Sequence, residues 1–253
     1  MADWISSLAT MFRIEAGAAE LGSWRRWIAL MVSPLCYFLL LAVGMASAVG
    51  GGAEYLRFVL PGVAAMQASS GLNRVVARLV AERRWGLAAL KLHSGVPGSA
   101  YLLGSFAPHL LIVAAQAGVL GLVAAALGAA RLVEIPLLVL LSLPAALFWT
   151  GFGYCLTAVI KSYQTRDLVL SVIVLPVSFA APVFYDLAAA PTALRALGTV
   201  NPMTYLVELA RDGRAGRADD GGRGGRLPRR GARCLPVLHA AHAHPVLRGL
   251  SAG

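Results

Sequence analysis

Five apolar runs, each close to the thickness of a bilayer in length, constrain this chain more than any other feature. Crossing about 30 Å of hydrocarbon takes about 20 helical residues, and residues 27–49, 55–72, 101–127, 135–160 and 168–185 meet or approach that length. Lipid offers the backbone no hydrogen-bond partner, so each run is expected to be a helix. Pro61, Pro108, Pro144, Pro176 and Pro182 fall inside the runs and are expected to kink them. Composition closes off the alternatives. The 253 residues are 58% hydrophobic and only 13% charged, whereas a soluble domain is about a quarter charged. The expected fold is all-α, a polytopic transmembrane helical bundle with five visible spans.

A formal net charge of +10 would fit a nucleic-acid footprint, but its distribution argues against nucleic acid. Residues 1–210 carry 13 Lys/Arg and 9 Asp/Glu, while residues 211–253 carry 9 Arg and 3 Asp. Within the spanning part the charges sort by side. With the N-terminus inside, one side holds Arg13, Arg25, Arg26, Arg74, Arg78, Arg83, Arg84, Lys91, Lys161 and Arg166, and the other holds Arg57, Arg131 and Arg195. This bias places the N-terminus in the cytoplasm. Arg25-Arg26 and Ala46-Ser47-Ala48 imitate a signal peptide around the first run. That run exceeds a signal's apolar core of about 7–15 residues, so it reads as a retained span.

Ahead of it, Trp4, Leu8, Met11 and Phe12 share one helical face, while Ser6, Thr10, Arg13 and Glu20 share another. Residues 1–26 are therefore expected to contain a helix lying in the inner interface, with Trp24 and Trp27 at headgroup depth.

Recognisable chemistry is mostly excluded. A P-loop needs G-x-x-x-x-G-K-[ST], and neither Lys91 nor Lys161 completes one. There is no G-x-S-x-G or H-E-x-x-H, and Gly151-Phe152-Gly153 inside a span reads as a helix-packing notch. Gly50-Gly51-Gly52 reads as an outer turn. Cys36, Cys155 and Cys234 are isolated, as are His93 and His109, and His239, His242 and His244 sit in a low-complexity tail. No catalytic or metal site is expected, which argues against a membrane-embedded enzyme.

Two segments carry functional signal. Residues 74–97, around Glu82-Arg83-Arg84-Trp85-Gly86-Leu87, hold five basic residues between two spans. They form either a basic loop that sets topology or a short helix that docks on a cytoplasmic partner through Trp85 and Leu87. In the second run, Gln67, Ser70 and Asn73 or Arg74 make one polar stripe, which faces either other helices or a pathway.

Arg57-Phe58 through Pro61-Gly62, the Glu82-Arg83-x-x-Gly86-Leu87 loop, the ending Pro182-Val183-Phe184-Tyr185, and Asn201-Pro202-Met203-Thr204-Tyr205 followed by Glu208 and Arg211 resemble an ABC-2 type permease. The likeness covers residues 5–212 and is greatest to the branch exporting drugs, polysaccharides and nodulation factors. It implies a six-span half-transporter in a bacterial inner membrane, paired with a second permease copy as a homodimer or heterodimer. Two cytoplasmic ATPase subunits would bind the ATP and Mg; this chain would hold no cofactor. The resemblance assigns ATPase coupling to residues 4–26 and to Glu82, Arg83, Arg84, Trp85, Gly86 and Leu87. It runs a translocation path along the second and fifth spans, where Gln67, Ser70, Asn73, Ser178, Phe184 and Tyr185 are the candidate wall. Asn201, Pro202, Thr204 and Tyr205 would belong to an outer re-entrant cap.

The chain departs from the family after Asp212. Residues 213–253 are rich in Arg, Gly and Ala and contain no apolar stretch long enough for the sixth span. This tail is read either as the product of a frameshift in a high-GC gene or as a genuine disordered, RGG-like tail. The expected domains are thus 1–26, 27–212 and 213–253. Exporter permease is the leading function; a non-transporting membrane scaffold or an inactive truncated permease is the alternative.

Overall fold

A computed structural model describes residues 2–49, 52–160, 162–187 and 190–219. Gly50-Gly51, Lys161, and the tail from Asp220 with Cys234 and its three histidines lie outside the described residues. The compact unit Met1–Arg214 holds the bundle. Among the described residues there is no strand, so the fold is all-α.

Helix α1 (Ala2–Ala18) is followed by a turn in which Glu20 has φ +56°, and then by α2 (Trp24–Cys36), a π-helical turn (Tyr37–Ala42) and α3 (Val43–Val49). Helices α4 (Gly52–Ala68) and α5 (Ser70–Arg84) follow in close succession, and α6 (Leu87–His93) is short. Helices α7 (Gly98–Ala126) and α8 (Ile135–Leu156) make a long hairpin, followed by α9 (Tyr163–Ala180), α10 (Thr192–Val200) and α11 (Pro202–Asp219). Among the described residues, three helical stretches are long and apolar enough to cross a membrane: Trp24–Ala48, Gly98–Ala126 and Leu132–Leu156. The second and fifth apolar runs do not form single long apolar helices. Helix α4 stops after 17 residues, and α9 ends at Ala180, five residues before its apolar run does.

The break between α4 and α5 has a local cause. Ser69 and Ser70 turn their hydroxyls back to donate to the carbonyls of Met66 and Gln67, at 2.7 and 2.6 Å. This competes with the helical ladder and bends it. Helix α4 is nevertheless the centre of the core. Val59, Leu60, Val63, Ala64, Ala65 and Ala68 are all but inaccessible, packed against α7 and α8. Small residues set the approaches, as expected of helices packing without a hydrophobic driving force. A Cβ on Gly153 would lie 3.3 Å from Leu72, and one on Gly104 would lie 2.6 Å from the Cβ of Met11. Gly153 is therefore a notch between α8 and α5, while Gly151 faces open space.

The helices run through most of their prolines. Pro61, Pro108, Pro144 and Pro176 all lie inside helices, as does Pro34; Pro182 follows α9. Pro34 shows how the missing N–H is handled. It leaves the Leu30 carbonyl, four residues earlier, without its helical donor, and the Gln116 side chain of α7 donates to that oxygen at 2.8 Å. A polar side chain at the depth of the bundle thereby satisfies a backbone group that lipid could not.

Candidate functional site

The basic end of the bundle is built around a buried carboxylate pair. Trp4, Leu8, Met11 and Phe12 turn toward α7, with Met11 3% exposed and Trp4 Nε1 donating to Ser99 at 3.0 Å. Glu15 is one helical turn beyond Met11 on the same face, so docking α1 buries it as well, at 2% exposure. Glu82 of α5 is buried at 4%. Lys91 of α6 lies 2.6 Å from Glu82 and 3.3 Å from Glu15; Arg78 lies 2.8 Å from Glu82 and also pairs with Glu15. The Tyr101 hydroxyl of α7 donates to Glu82 at 3.0 Å. Burial alone would push the Glu82 carboxyl up, but the hydrogen bonds and charges of Lys91 and Arg78 outweigh it and hold it below its ordinary value. Two acids, two bases and a tyrosine thus join four helices.

The loop after α5 hangs from this joint. Gly86, at φ +70°, takes the left-handed position that ends α5 and lets α6 start. Trp85, Leu87 and Leu90 project outward, 75%, 45% and 67% exposed. Arg83 donates to the Thr157 carbonyl at the end of α8, and the Arg84 guanidinium sits 5.7 Å from the Tyr163 ring centroid. The six residues expected to couple therefore divide. Trp85 and Leu87 form an apolar outer surface, Gly86 makes the turn, Arg83 and Arg84 fold back on the bundle, and Glu82 faces inward.

A cavity of about 220 Å³ is lined by Ser33, Tyr37, Met66, Gln67, Ser69, Ser70, Asn73, Val174, Ser178 and Phe184. It brings together five of the six residues expected along a path, contributed by α4, α5, α9 and the segment after α9, with α2 closing one side. Tyr185 is not in its wall; its hydroxyl donates to the Ala180 carbonyl at 2.8 Å.

The segment from residue 201 onward is tied to α9, to the stretch after it and to α4. Asn201 accepts from the Met203 N–H at 2.9 Å, capping α11 with Pro202 in its first turn, and donates to the Val177 carbonyl at 2.6 Å. Tyr205 donates to the Thr199 carbonyl at 2.6 Å, while Thr204 is buried. Arg211 reaches back to the carbonyls of Pro182, Val183 and Phe58, with its guanidinium 3.7 Å from the Phe58 ring centroid. Helix α11 continues to Asp219, past the boundary expected at residue 213.

Sequence reasoning passed over Glu15, Arg78, Lys91 and His109 as functional neighbours. Glu15 carried a signal, an acid on the apolar face of α1. His109 carried none, since its partner Arg74 is 35 residues away. Among the described residues no group of three His, Cys, Asp or Glu could hold a metal.

An all-α bundle with membrane-length apolar helices, an exposed apolar turn at its basic end and a polar-lined cavity between helices fits a polytopic membrane protein. Residues 17–213 match the family described as ABC-2 type transporter, and the chain belongs to that family. It is accordingly a membrane component of an ABC transporter. Comparison with curated proteins and with solved structures returned no match.

Proposed function

We propose that this chain is the permease half of an exporter in a bacterial inner membrane, N-terminus cytoplasmic, driven by ATP hydrolysed on a separate ABC ATPase. The observation that carries this reading is the connection between its two candidate surfaces. Trp85, Leu87 and Leu90 offer an apolar patch of the kind that anchors a protein partner. The joint of Glu15, Arg78, Glu82 and Lys91 ties that patch to α5. The other end of α5 supplies Ser70 and Asn73 to the cavity wall.

The mechanism is alternating access. Closure of two ATPases would displace the docking turns of two permease copies, and the ionic joint would pass that motion to α1, α5 and α7 as one body. The cavity walls on α2 and α9 would then separate or close, moving a drug-like, lipid-linked or saccharide substrate outward. ATP and Mg belong to the ATPase. As part of the same reading, residues 213–253 are the product of a frameshift that replaces a sixth span; the family match ending at residue 213 supports it. Sequencing the coding DNA tests this, because an adjacent frame must then encode an apolar run of about 20 residues.

The functional test is co-expression with a candidate ABC ATPase. The two subunits should purify together, and W85D/L87D should abolish the association while leaving the permease folded. An association that survives W85D/L87D would overturn the coupling role of this turn.

A further inference from the structure

Half of the cavity wall is the break between α4 and α5. Met66, Gln67, Ser69, Ser70 and Asn73 lie at the break or within one turn of it, and all five line the cavity. The backbone is displaced there: the Ser69 N–H donates to the Met66 carbonyl and the Leu72 N–H to the Ser69 carbonyl, each at 3.1 Å and three residues back instead of four. A ladder interrupted in this way does not fix the angle between the two helices. Side chains must do so.

They do it from behind the wall. Ser70 Oγ donates to the Gln67 carbonyl at 2.6 Å, across the break. With its one proton engaged, the hydroxyl accepts from Arg74 Nη2 at 2.6 Å. The same nitrogen lies 2.8 Å from His109 Nδ1 of α7. A guanidinium only donates, so Nδ1 must accept, and the imidazole is the neutral tautomer with its proton on Nε2. Three hydrogen bonds therefore run from α7 through Arg74 and Ser70 to the last turn of α4.

The start of this chain is itself held. His109 is 5% exposed, and its ring fills the space that a Cβ on Gly71 would need. Tyr101, eight residues before His109, donates to Glu82, eight residues after Arg74, at 3.0 Å. Helices α5 and α7 thus keep one antiparallel register from the ionic joint up to the break.

We propose that His109 is a positioning residue of the cavity wall, setting from α7 the angle at which α4 meets α5. It is not in the wall and acts through Arg74 and Ser70. Its consequence for transport rests on the exporter reading, in which movement of α7 would reach the wall through this chain.

The test uses the full chain in nanodiscs, without ATPase or substrate. A failed export assay therefore leaves it standing, and its failure leaves the permease assignment standing. In a C36S/C155S/C234S background, single cysteines are placed in the wall by M66C, beside the break, or by S178C, on α9. Their rates of reaction with a membrane-impermeant methanethiosulfonate report how open each position is. H109L should raise the M66C rate about tenfold, the shift expected when a hydrogen bond to a charged group no longer resists opening. The S178C rate should not change. H109N returns an acceptor oxygen to the place of Nδ1 and should restore most of the protection. Histidine-selective 15N NMR of the unsubstituted chain, with His109 assigned by its loss in H109N, should show a neutral ring protonated on Nε2. That measurement decides the matter even where H109L fails to fold. An M66C rate unchanged in folded H109L, an equal rise at S178C, no rescue by H109N, or a proton on Nδ1 overturns the proposal.

Discussion

Arg74, Arg78 and Glu82 lie at successive turns on one face of α5, yet the two ends of that face are treated differently. At the lower end every charge is matched: Arg78 and Lys91 close on Glu15 and Glu82, and Tyr101 takes a remaining carboxylate oxygen. At the upper end Arg74 reaches neutral partners only, Ser70 and His109. The difference comes from what neighbouring helices bring. Helix α1 delivers an acid to the lower end, and α7 delivers an imidazole to the upper. The lower cluster joins helices by ion pairs, and the upper arginine joins α5 to α7 by hydrogen bonding alone.

The largest effect should come from breaking the matched end. E82Q removes a buried carboxylate that answers two partly buried bases, and breaking a buried pair costs about 3–5 kcal/mol. The lower figure is expected because Glu15 remains. It should appear as a lowered Tm of the purified protein, with α1 loosened first and read by proteolysis near residue 20. Acid should act in the same direction. Since the folded Glu82 carboxyl is held below its ordinary value, its contribution is present above the unfolded pKa of about 4.3. That contribution is lost as pH falls through the folded pKa. A Tm unaffected by E82Q would mean that the four helices are held by packing alone.

A smaller effect is expected from G71A. The added Cβ would fall on the His109 ring beside Nε2, so the imidazole must move and Nδ1 leaves the reach of Arg74. Overpacking of this kind costs about 1–3 kcal/mol. A Tm lowered by that amount would show that His109 is tightly held against α5 and Arg74. An unchanged Tm would mean that the ring turns aside without loss.

These clusters also mark where sequence reading stops. The all-α membrane fold was legible because spanning length and charge scarcity leave no other solution. The cavity wall was legible in part, since Gln67, Ser70 and Asn73 recur at helical spacing, and Phe184 and Ser178 came from the resemblance. The pairing of charges was not. Glu15 to Lys91 and Arg74 to His109 are set by which helices pack together, and helical spacing carries no information about that. The inward turn of Glu82, too, depends on α1 and α7 covering it.

The smallest effect concerns α2 and its seat on α7. Leu30 is one turn above Arg26, and its carbonyl is orphaned by Pro34 and answered by Gln116. Q116A should cost about 1 kcal/mol, the net worth of one hydrogen bond, and should loosen α2 against α7. The decisive comparison is made in a P34A background. There the restored backbone N–H can reach Leu30 itself, so the side chain of Gln116 becomes redundant. The cycle of P34A, Q116A and P34A/Q116A, followed by Tm, should therefore show strong coupling, with Q116A nearly silent once Pro34 is gone. Equal cost in both backgrounds would mean that Gln116 supports α2 by packing rather than by supplying the missing donor. The position of α2 would then depend on the α2–α7 interface as a whole, and not on one polar bridge.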